Sequence, residues 1–492
     1  MTEPRLARLS DLPGDPGRVF LLGVAGAGMR ALAVALQDRG WTVAGSDSDA
    51  DAATALSSRG IAIHDESDAD AAREVDLVVY SSALPETHPA LVAAREAGVP
   101  TWKRARALGA LVNEHRLAAV AGTHGKTTVT TMLALAAEAA GMDPLALVGG
   151  RVGAWGGNTR LGHGDLAVVE ADEYDRSFLE LDPDLAIVTS VEPEHLDVYG
   201  TVESMEAAFA EFAGRARMIL ACADDAGARR LAAALGAAGD RGDHGQPGDH
   251  GQPGDHDGQR DTGHAEVRTY GFAEDADYRL EVMDAGRGGQ LCRLHGPGDT
   301  LPFRLGAPGA HNAQNAAAAL AAAWWLGATA PALADALESF SGVDRRLQVL
   351  HETPALVVVD DYAHHPTEVR ATLEALRSGW PGRRVVTVFQ PHLYTRTRDH
   401  ASEFSEALAG ADRALVLPIY PSREAPLPGV TRDLILNVAR RGLEPIEPDD
   451  VPGLLCPSEP TVLAFMGAGD VTRLAHDAAR RAARRRPDEL GG

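Results

Sequence analysis

Lysine is nearly missing from this chain. Among 492 residues only Lys103 and Lys126 carry an ammonium side chain, every other long cation being arginine. A lysine that persists in such a composition is a poor candidate for an ordinary solvated charge. A compact point charge suits a phosphate site for which the wide, rigid guanidinium fork is ill shaped. Positive charge is scarce altogether, since 46 Lys and Arg stand against 70 Asp and Glu for a net charge of −24. That balance excludes nucleic acid as the main ligand, because counterion release requires clustered cations. Cysteine is limited to Cys222, Cys292 and Cys456, odd in number and far apart. Neither a disulfide framework nor a metal-ligand spacing follows, which suits a reducing cytosol. The chain lacks a run of eighteen apolar residues and an apolar signal core near its start, so no membrane span, no export and a cytoplasmic location are expected. Aromatics make up only 5% and alanine is abundant, a balance that fits an α/β enzyme. The length allows about three domains of ~150 residues each.

What is present centres on Val120-Ala121-Gly122-Thr123-His124-Gly125-Lys126-Thr127-Thr128. An apolar run, Leu117 to Val120, precedes it and a helical pattern from Val129 to Ala140 follows. Strand, glycine-bearing turn and helix make a phosphate cradle, in which backbone N–H groups and the helix dipole favour an anion. Gly122 to Gly125 and Thr128 form the wrap, Lys126 reaches the terminal phosphates, and the Thr127 hydroxyl sits on Mg²⁺. The loop is shorter than the usual G-x-x-x-x-G-K-[ST], its first glycine being Gly122. A second apolar run, Leu166 to Val169, ends in Glu170-Ala171-Asp172-Glu173. Acids at a strand end beside a phosphate loop point to the nucleotide's metal, with Glu170 the better ligand. Glu173 and Asp175 read equally well as the acids of a helix start. His195, just past the strand Leu185 to Ser190, is a candidate for metal or substrate.

On the N-terminal side, Arg18 to Leu22 reads as a buried strand, and Gly23-Val24-Ala25-Gly26-Ala27-Gly28 leads into a helix from Met29 to Arg39. A second strand ends at Asp47, about twenty residues on, as in a dinucleotide fingerprint. The glycine order is G-x-x-G-x-G, however, and a nucleoside diphosphate on the helix start is equally allowed. Residues 237 to 265 contain a period-six repeat, Gly242 to Pro247 and Gly248 to Pro253, with nothing apolar to bury. A flexible polar insertion, not needed for activity, is expected there. Asn312 and Asn315 open an alanine-rich helix three residues apart, so both amides can face one ligand. After Gly342, Arg345-Arg346 marks a junction where a cation could enter a neighbouring phosphate site. Strands Leu356 to Val359, Val385 to Phe389 and Val462 to Met466 follow, and Asp361, His364, His365 and His392 gather at their ends. Alternating strands and helices with polar strand ends describe doubly wound sheets.

Taken together, G-T-H-G-K-T-T, E-A-D-E ahead of S-F-L, E-H-L-D-x-Y, H-N-x-x-N, D-D-Y-x-H-H-P-T-E-V and F-Q-P-H-x-x-T-R-T-R-D resemble the Mur ligase family. The resemblance runs from about Val19 to Ala475, apart from the insertion. It implies an α/β protein of three domains: 1–114, Rossmann-like, for a UDP sugar; 115–342, a P-loop domain, for ATP; and 343–492, Rossmann-like, for an amino acid. It implies amide-bond formation between UDP-N-acetylmuramate and L-alanine, with ATP and Mg²⁺, in peptidoglycan synthesis. The alternative within the family attaches a tripeptide to the same sugar nucleotide. Partners would be these small molecules and neither nucleic acid nor membrane, the enzyme acting as monomer or homodimer. By position, the resemblance gives Lys126 to the nucleotide phosphates, Thr127 and Glu170 to one Mg²⁺ and His195 to a second. Asn312 and Asn315 would hold the adenine end, Arg346 with Asp361 would close the third domain, and His365 would lie near the amino acid. Gly26, Ala27, Gly28 and Met29 would meet the UDP diphosphate. Ser190, Arg30 and Ala363 depart from the residues common in the family.

Overall fold

The computed structural model describes residues 6–484 except 15, 50–54, 67, 240–264, 287–288, 341, 423 and 439–441. The period-six repeat therefore lies outside the described residues. Three sheets organise the chain, as three domains require. The first is fully parallel, in the order Ala62–His64, Thr42–Ser46, Arg18–Leu22, Leu77–Tyr80, Thr101–Lys103. Its central strands, Arg18–Leu22 and Leu77–Tyr80, are short apolar runs buried almost throughout, the pattern of parallel pairing, while the edge strands are only partly buried.

The central sheet has ten strands. Arg116–Ala121 lies at its heart, parallel to Leu185–Val188 on one side and to Leu166–Glu170 on the other. All three strands therefore end along one edge of the sheet, which brings the phosphate loop, the acids after Val169 and the segment holding His195 together. Beyond them the sheet continues through Met218–Cys222 and Glu266–Gly271 into an antiparallel meander, Tyr278–Gly286, Gly289–Gly296 and Asp299–Leu305. This meander was not anticipated from the sequence; its first strand carries a register shift between Val282 and Asp284 that interrupts its alternation. The third sheet is parallel apart from its first edge, in the order Gln348–Glu352, Leu356–Asp361, Thr461–Met466, Arg384–Phe389, Arg413–Val416, Leu443–Pro445.

The helix after the phosphate loop starts at Lys126, a turn earlier than its apolar pattern predicts, and runs to Ala139. Gly125 precedes it at φ 81°, a left-handed conformation that glycine adopts at no steric cost. Thr130 and Thr131 are polar residues inside this buried helix, and each returns its hydroxyl to the carbonyl four residues back, at 2.8 Å.

How the domains meet differs from one boundary to the other. Apolar residues of the first two domains, from Leu12 and Val19 to Phe340, belong to one continuous core, joined by Val343 at the start of the third. The third domain has its own apolar layers on the two faces of its sheet. Its side chains reach the central domain through polar pairs: Arg396 to Glu194 (2.6 Å), Thr367 to Glu192 (3.1 Å) and Glu368 to His124 (3.3 Å). Shared apolar packing holds the first pair of domains together, whereas polar contacts can be exchanged with water at small cost. Among the described residues no helix is long and apolar enough to cross a membrane.

Candidate active site

Two adjoining cavities lie where the domains meet. The larger, about 820 Å³, is lined by Ala27, Arg30 and Ser82 of the first domain, by Lys126, Thr127, Glu170, Glu173 and His195 of the second, and by Arg346, His364 and Arg396 of the third. The smaller, about 300 Å³, takes His124, Gly125, Thr128, Asn312, Asn315, Arg346 and Asp361 in its walls. The phosphate loop runs between them, its Gly125–Thr128 backbone bordering both.

Lys126 is held by a buried carboxylate. Its Nζ donates to Glu173 at 2.9 Å (Oε1) and lies 2.8 Å from Oε2. Burial works against the ammonium, but the surrounding carboxylates of Glu173, Asp172 and Glu170 outweigh it and keep Lys126 charged. Burial pushes Glu173 up to about 7, while the neighbouring ammonium pulls it down. Thr127 Oγ1 donates to Glu170 Oε1 at 3.1 Å, and the Gly149 N–H donates to Glu170 Oε2 at 2.6 Å. Thr127 and Glu170 thus offer adjoining oxygens, the donor type a hard cation takes. His195 stands at φ 54° as the residue before a short helix. Its nearest acids are Glu173, 3.8 Å away, and Glu194, with which the two form a set whose donor atoms all lie within 4.8 Å of one another. A left-handed non-glycine residue at a ligand wall is a strained position of the sort found at functional sites.

The remaining expected residues are distributed as follows. Asn312 is buried and donates to the Pro308 carbonyl at 2.8 Å, while a Cβ at Gly125 would come within 2.7 Å of Asn315 Oδ1. That approach explains why position 125 carries no side chain. Arg346 lies 3.4 Å from Glu368 and 5.3 Å over the Tyr362 ring. Asp361 accepts the N–H groups of Leu347 (2.7 Å) and Ala363 (2.8 Å), so it ties the junction to the third sheet; burial pushes it up to about 6. In the first domain, the Ala25 N–H donates to Asp47 at 2.8 Å, which fastens the glycine turn to the next strand. Gly26 caps the helix Ala27–Asp38, which begins two residues before the predicted Met29. Met29 itself is 2% exposed and packs into the core, so only its backbone is left for a ligand.

His365 sits at the boundary between the central and third domains rather than in a cavity wall. It precedes the helix Pro366–Gly379 and its ring faces His124 (4.9 Å) and His400 (5.2 Å), lining neither cavity. His364, one residue earlier, lines the larger one. Adjacent residues ahead of a helix point to different sides, which spacing alone does not resolve. Sequence reasoning also passed over Glu192, Glu194, Arg396 and Glu368. Glu368 reads as the ordinary third-position acid of a capping box, and it does accept from the N–H of the cap residue His365 at 3.3 Å. Its second job, receiving Arg346 and His124, depends on another domain.

Residues 18–116 match the Mur ligase family catalytic domain, 120–241 the Mur ligase middle domain, and 345–452 the Mur ligase glutamate ligase domain. The chain is 44% identical over 462 residues to a protein of Paenarthrobacter aurescens (strain TC1), covering 93% of this chain and 95% of that one. It is 40% identical over 475 residues to one of Streptomyces coelicolor, covering 94% and 97%. Both relatives are named UDP-N-acetylmuramate--L-alanine ligase. Among solved structures, the UDP-N-acetylmuramate-alanine ligase of Thermotoga maritima superposes with a TM-score of 0.77 at 27% identity, over 95% of this chain and 99% of that one. A murein peptide ligase of Psychrobacter arcticus shares the fold, at 23% identity and a TM-score of 0.65 over 97% of this chain and 99% of that one. With three successive domain matches and relatives alike over nearly their whole length, this chain belongs to the Mur ligase family.

Proposed function

We infer that this enzyme joins L-alanine to UDP-N-acetylmuramate at the expense of ATP, giving ADP, phosphate and UDP-N-acetylmuramoyl-L-alanine in peptidoglycan precursor synthesis. The observation that carries the reading is the larger cavity, whose walls come from all three domains. A reaction of three substrates needs one chamber that each can enter. We take the domains as 1–114 for the UDP sugar, 115–342 for ATP and 343–492 for the amino acid, with the insertion inside the second.

A carboxylate is a poor electrophile, so its oxygen first attacks the γ-phosphorus of ATP and ADP leaves. The alanine amine then attacks the acyl phosphate carbon, and phosphate departs from the tetrahedral intermediate. Lys126 faces the oxygens on which charge accumulates in the first step. Glu173 keeps that ammonium aimed into the chamber. Thr127 and Glu170 are the residues that would hold one Mg²⁺, and His195 with Glu173 and Glu194 a second. Bound there, Mg²⁺ supplies charge neutralisation at the phosphate oxygens. Asn312 and Asn315 would receive the adenine end in the smaller cavity, and Gly26 to Gly28 the UDP diphosphate at the first helix start. Arg396 and His364 face the chamber from the third domain, where the amino acid would enter. Arg346 and Asp361 secure the junction, and closure of the third domain excludes water that would hydrolyse the acyl phosphate.

The test is ADP release from UDP-N-acetylmuramate and ATP with L-alanine, glycine, L-serine or a tripeptide as acceptor. Alanine is expected to give the highest kcat/KM. A tripeptide preferred over alanine would move the enzyme to the branch that reattaches recovered peptides.

A further inference from the structure

Outside the two metal positions just described, a third ligand set spans the interface between the central and third domains. His124 Nε2 lies 3.4 Å from Glu192 Oε2, and His365 Nδ1 lies 3.8 Å from the same oxygen. One donor atom from each of the three residues falls within 4.8 Å of the others. A tetrahedral ion with bonds of about 2.0–2.2 Å holds its ligands roughly 3.4 Å apart, so the three donors stand near coordination distance and close by less than about 1.5 Å around an ion, which takes the place of the long 3.4 Å contact from the Thr367 N–H to His365 Nδ1. The outer contacts match as well. His124 presents its other nitrogen, Nδ1, to Glu368 at 3.3 Å. That carboxylate–histidine arrangement fixes the tautomer and orients the ring in zinc sites. Glu192 is steadied by the Thr367 hydroxyl at 3.1 Å. The side chains of His124 and His365 are mostly buried, at 16% and 9% exposure.

We propose that His124, Glu192 and His365 form a site for a borderline divalent cation of the Zn²⁺ class, which clamps the third domain against the phosphate loop. Two imidazoles and one carboxylate select such an ion over Mg²⁺, which prefers oxygen ligands and retains its waters. The ion replaces the proton shared between His124 and Glu192. His124 and Glu192 belong to the central domain and His365 to the third, so one bound ion joins them, and excess Zn²⁺ slows turnover by holding the domains together.

Co²⁺ reports this directly, since a tetrahedral site gives a strong visible d–d band and a six-coordinate site a weak one. The full-length enzyme, stripped of metal, is titrated with Co²⁺ and then with Zn²⁺ as competitor. One tetrahedral Co²⁺ per chain is expected, displaced by Zn²⁺. The band is lost in both Glu192→Gln and His365→Asn, checked for folding by circular dichroism, and kept in His195→Ala, which removes a ligand of the other cluster. Glu368→Gln weakens Co²⁺ binding by roughly ten- to a hundredfold. No tetrahedral band in the unmodified enzyme overturns the proposal whether or not the variants fold. A band that survives Glu192→Gln or His365→Asn, or one lost in His195→Ala, overturns it too by placing the ion elsewhere.

Discussion

The ammonium of Lys126 lies 2.8 Å from Glu173 Oε2, inside a pocket that leaves the glutamate side chain only 4% exposed. The partnership gives the phosphate-loop lysine a fixed direction, and it gives a buried carboxylate its counter-charge. Each residue is costly without the other, since removal of one member of a buried ion pair leaves an uncompensated charge. Lys126→Ala is therefore expected to destabilise the fold by about 3 kcal/mol or more and to lower kcat by roughly 10²–10³-fold. Adding Glu173→Gln should recover part of the stability and none of the activity. Chemical denaturation and ADP release on the single and double variants check this; equal stability of the two would contradict the pairing.

Glu170 and His195 differ in what their loss should do. Glu170 accepts from Thr127 on one oxygen and from the Gly149 N–H on the other, so Glu170→Gln can keep the Gly149 bond through its amide oxygen, turns the Thr127 hydroxyl into an acceptor, and removes the charge for Mg²⁺. His195→Ala leaves that pair untouched. Both variants are expected to need roughly tenfold more Mg²⁺ for half-maximal rate, with folding unchanged. Initial rates across a Mg²⁺ series decide it, and a wild-type Mg²⁺ dependence in either variant removes that residue from the metal assignment.

Closure of the third domain depends on few contacts. Arg396 and Glu194, 12% and 14% exposed, meet at 2.6 Å across the boundary, and this neighbouring guanidinium overcomes burial to hold Glu194 down at about 2. Arg396→Ala should open the third domain while the first two stay joined through their common core. The radius of gyration from small-angle scattering should rise and kcat fall by at least tenfold. An unchanged radius would show that other contacts suffice.

His124 supplies a pH dependence. Burial pulls its pKa down, but Glu192 and Glu368 raise it further, to about 10. A group raised in the folded state contributes stability that is complete below its unfolded value near 6.5 and disappears as pH climbs toward 10. The stability difference between the wild type and His124→Asn, measured by denaturation in chelator-treated buffer, should thus shrink between pH 6.5 and 10. A change on the order of 4 kcal/mol follows from a shift of that size. A difference that stays constant or grows with pH would contradict the sign.

Much of the site was written in local pattern. Glycines ahead of a buried helix, a lysine kept where arginine replaces it elsewhere, and acids closing an apolar strand all specify their surroundings within a few residues. Glu173 was the ambiguous case, because an acid after a strand can equally begin a helix. It does both, standing just before the short helix Tyr174–Glu180 and holding Lys126, 47 positions earlier in the chain. His364 and His365 show the same limit, since their facing depends on how the helix Pro366–Gly379 docks beside the phosphate loop.

By itself, the order of residues determined three α/β units, the phosphate cradle and the acids beside it, since strand, turn and helix starts follow from short-range sterics and burial. Only the tertiary structure decided which carboxylate holds Lys126, which histidine faces the chamber, and that Glu192 and Glu368 reach His124 and its neighbours from either side of a domain boundary. Those pairings join residues as far as 244 positions apart, and their geometry comes from how whole domains pack, which no local pattern encodes.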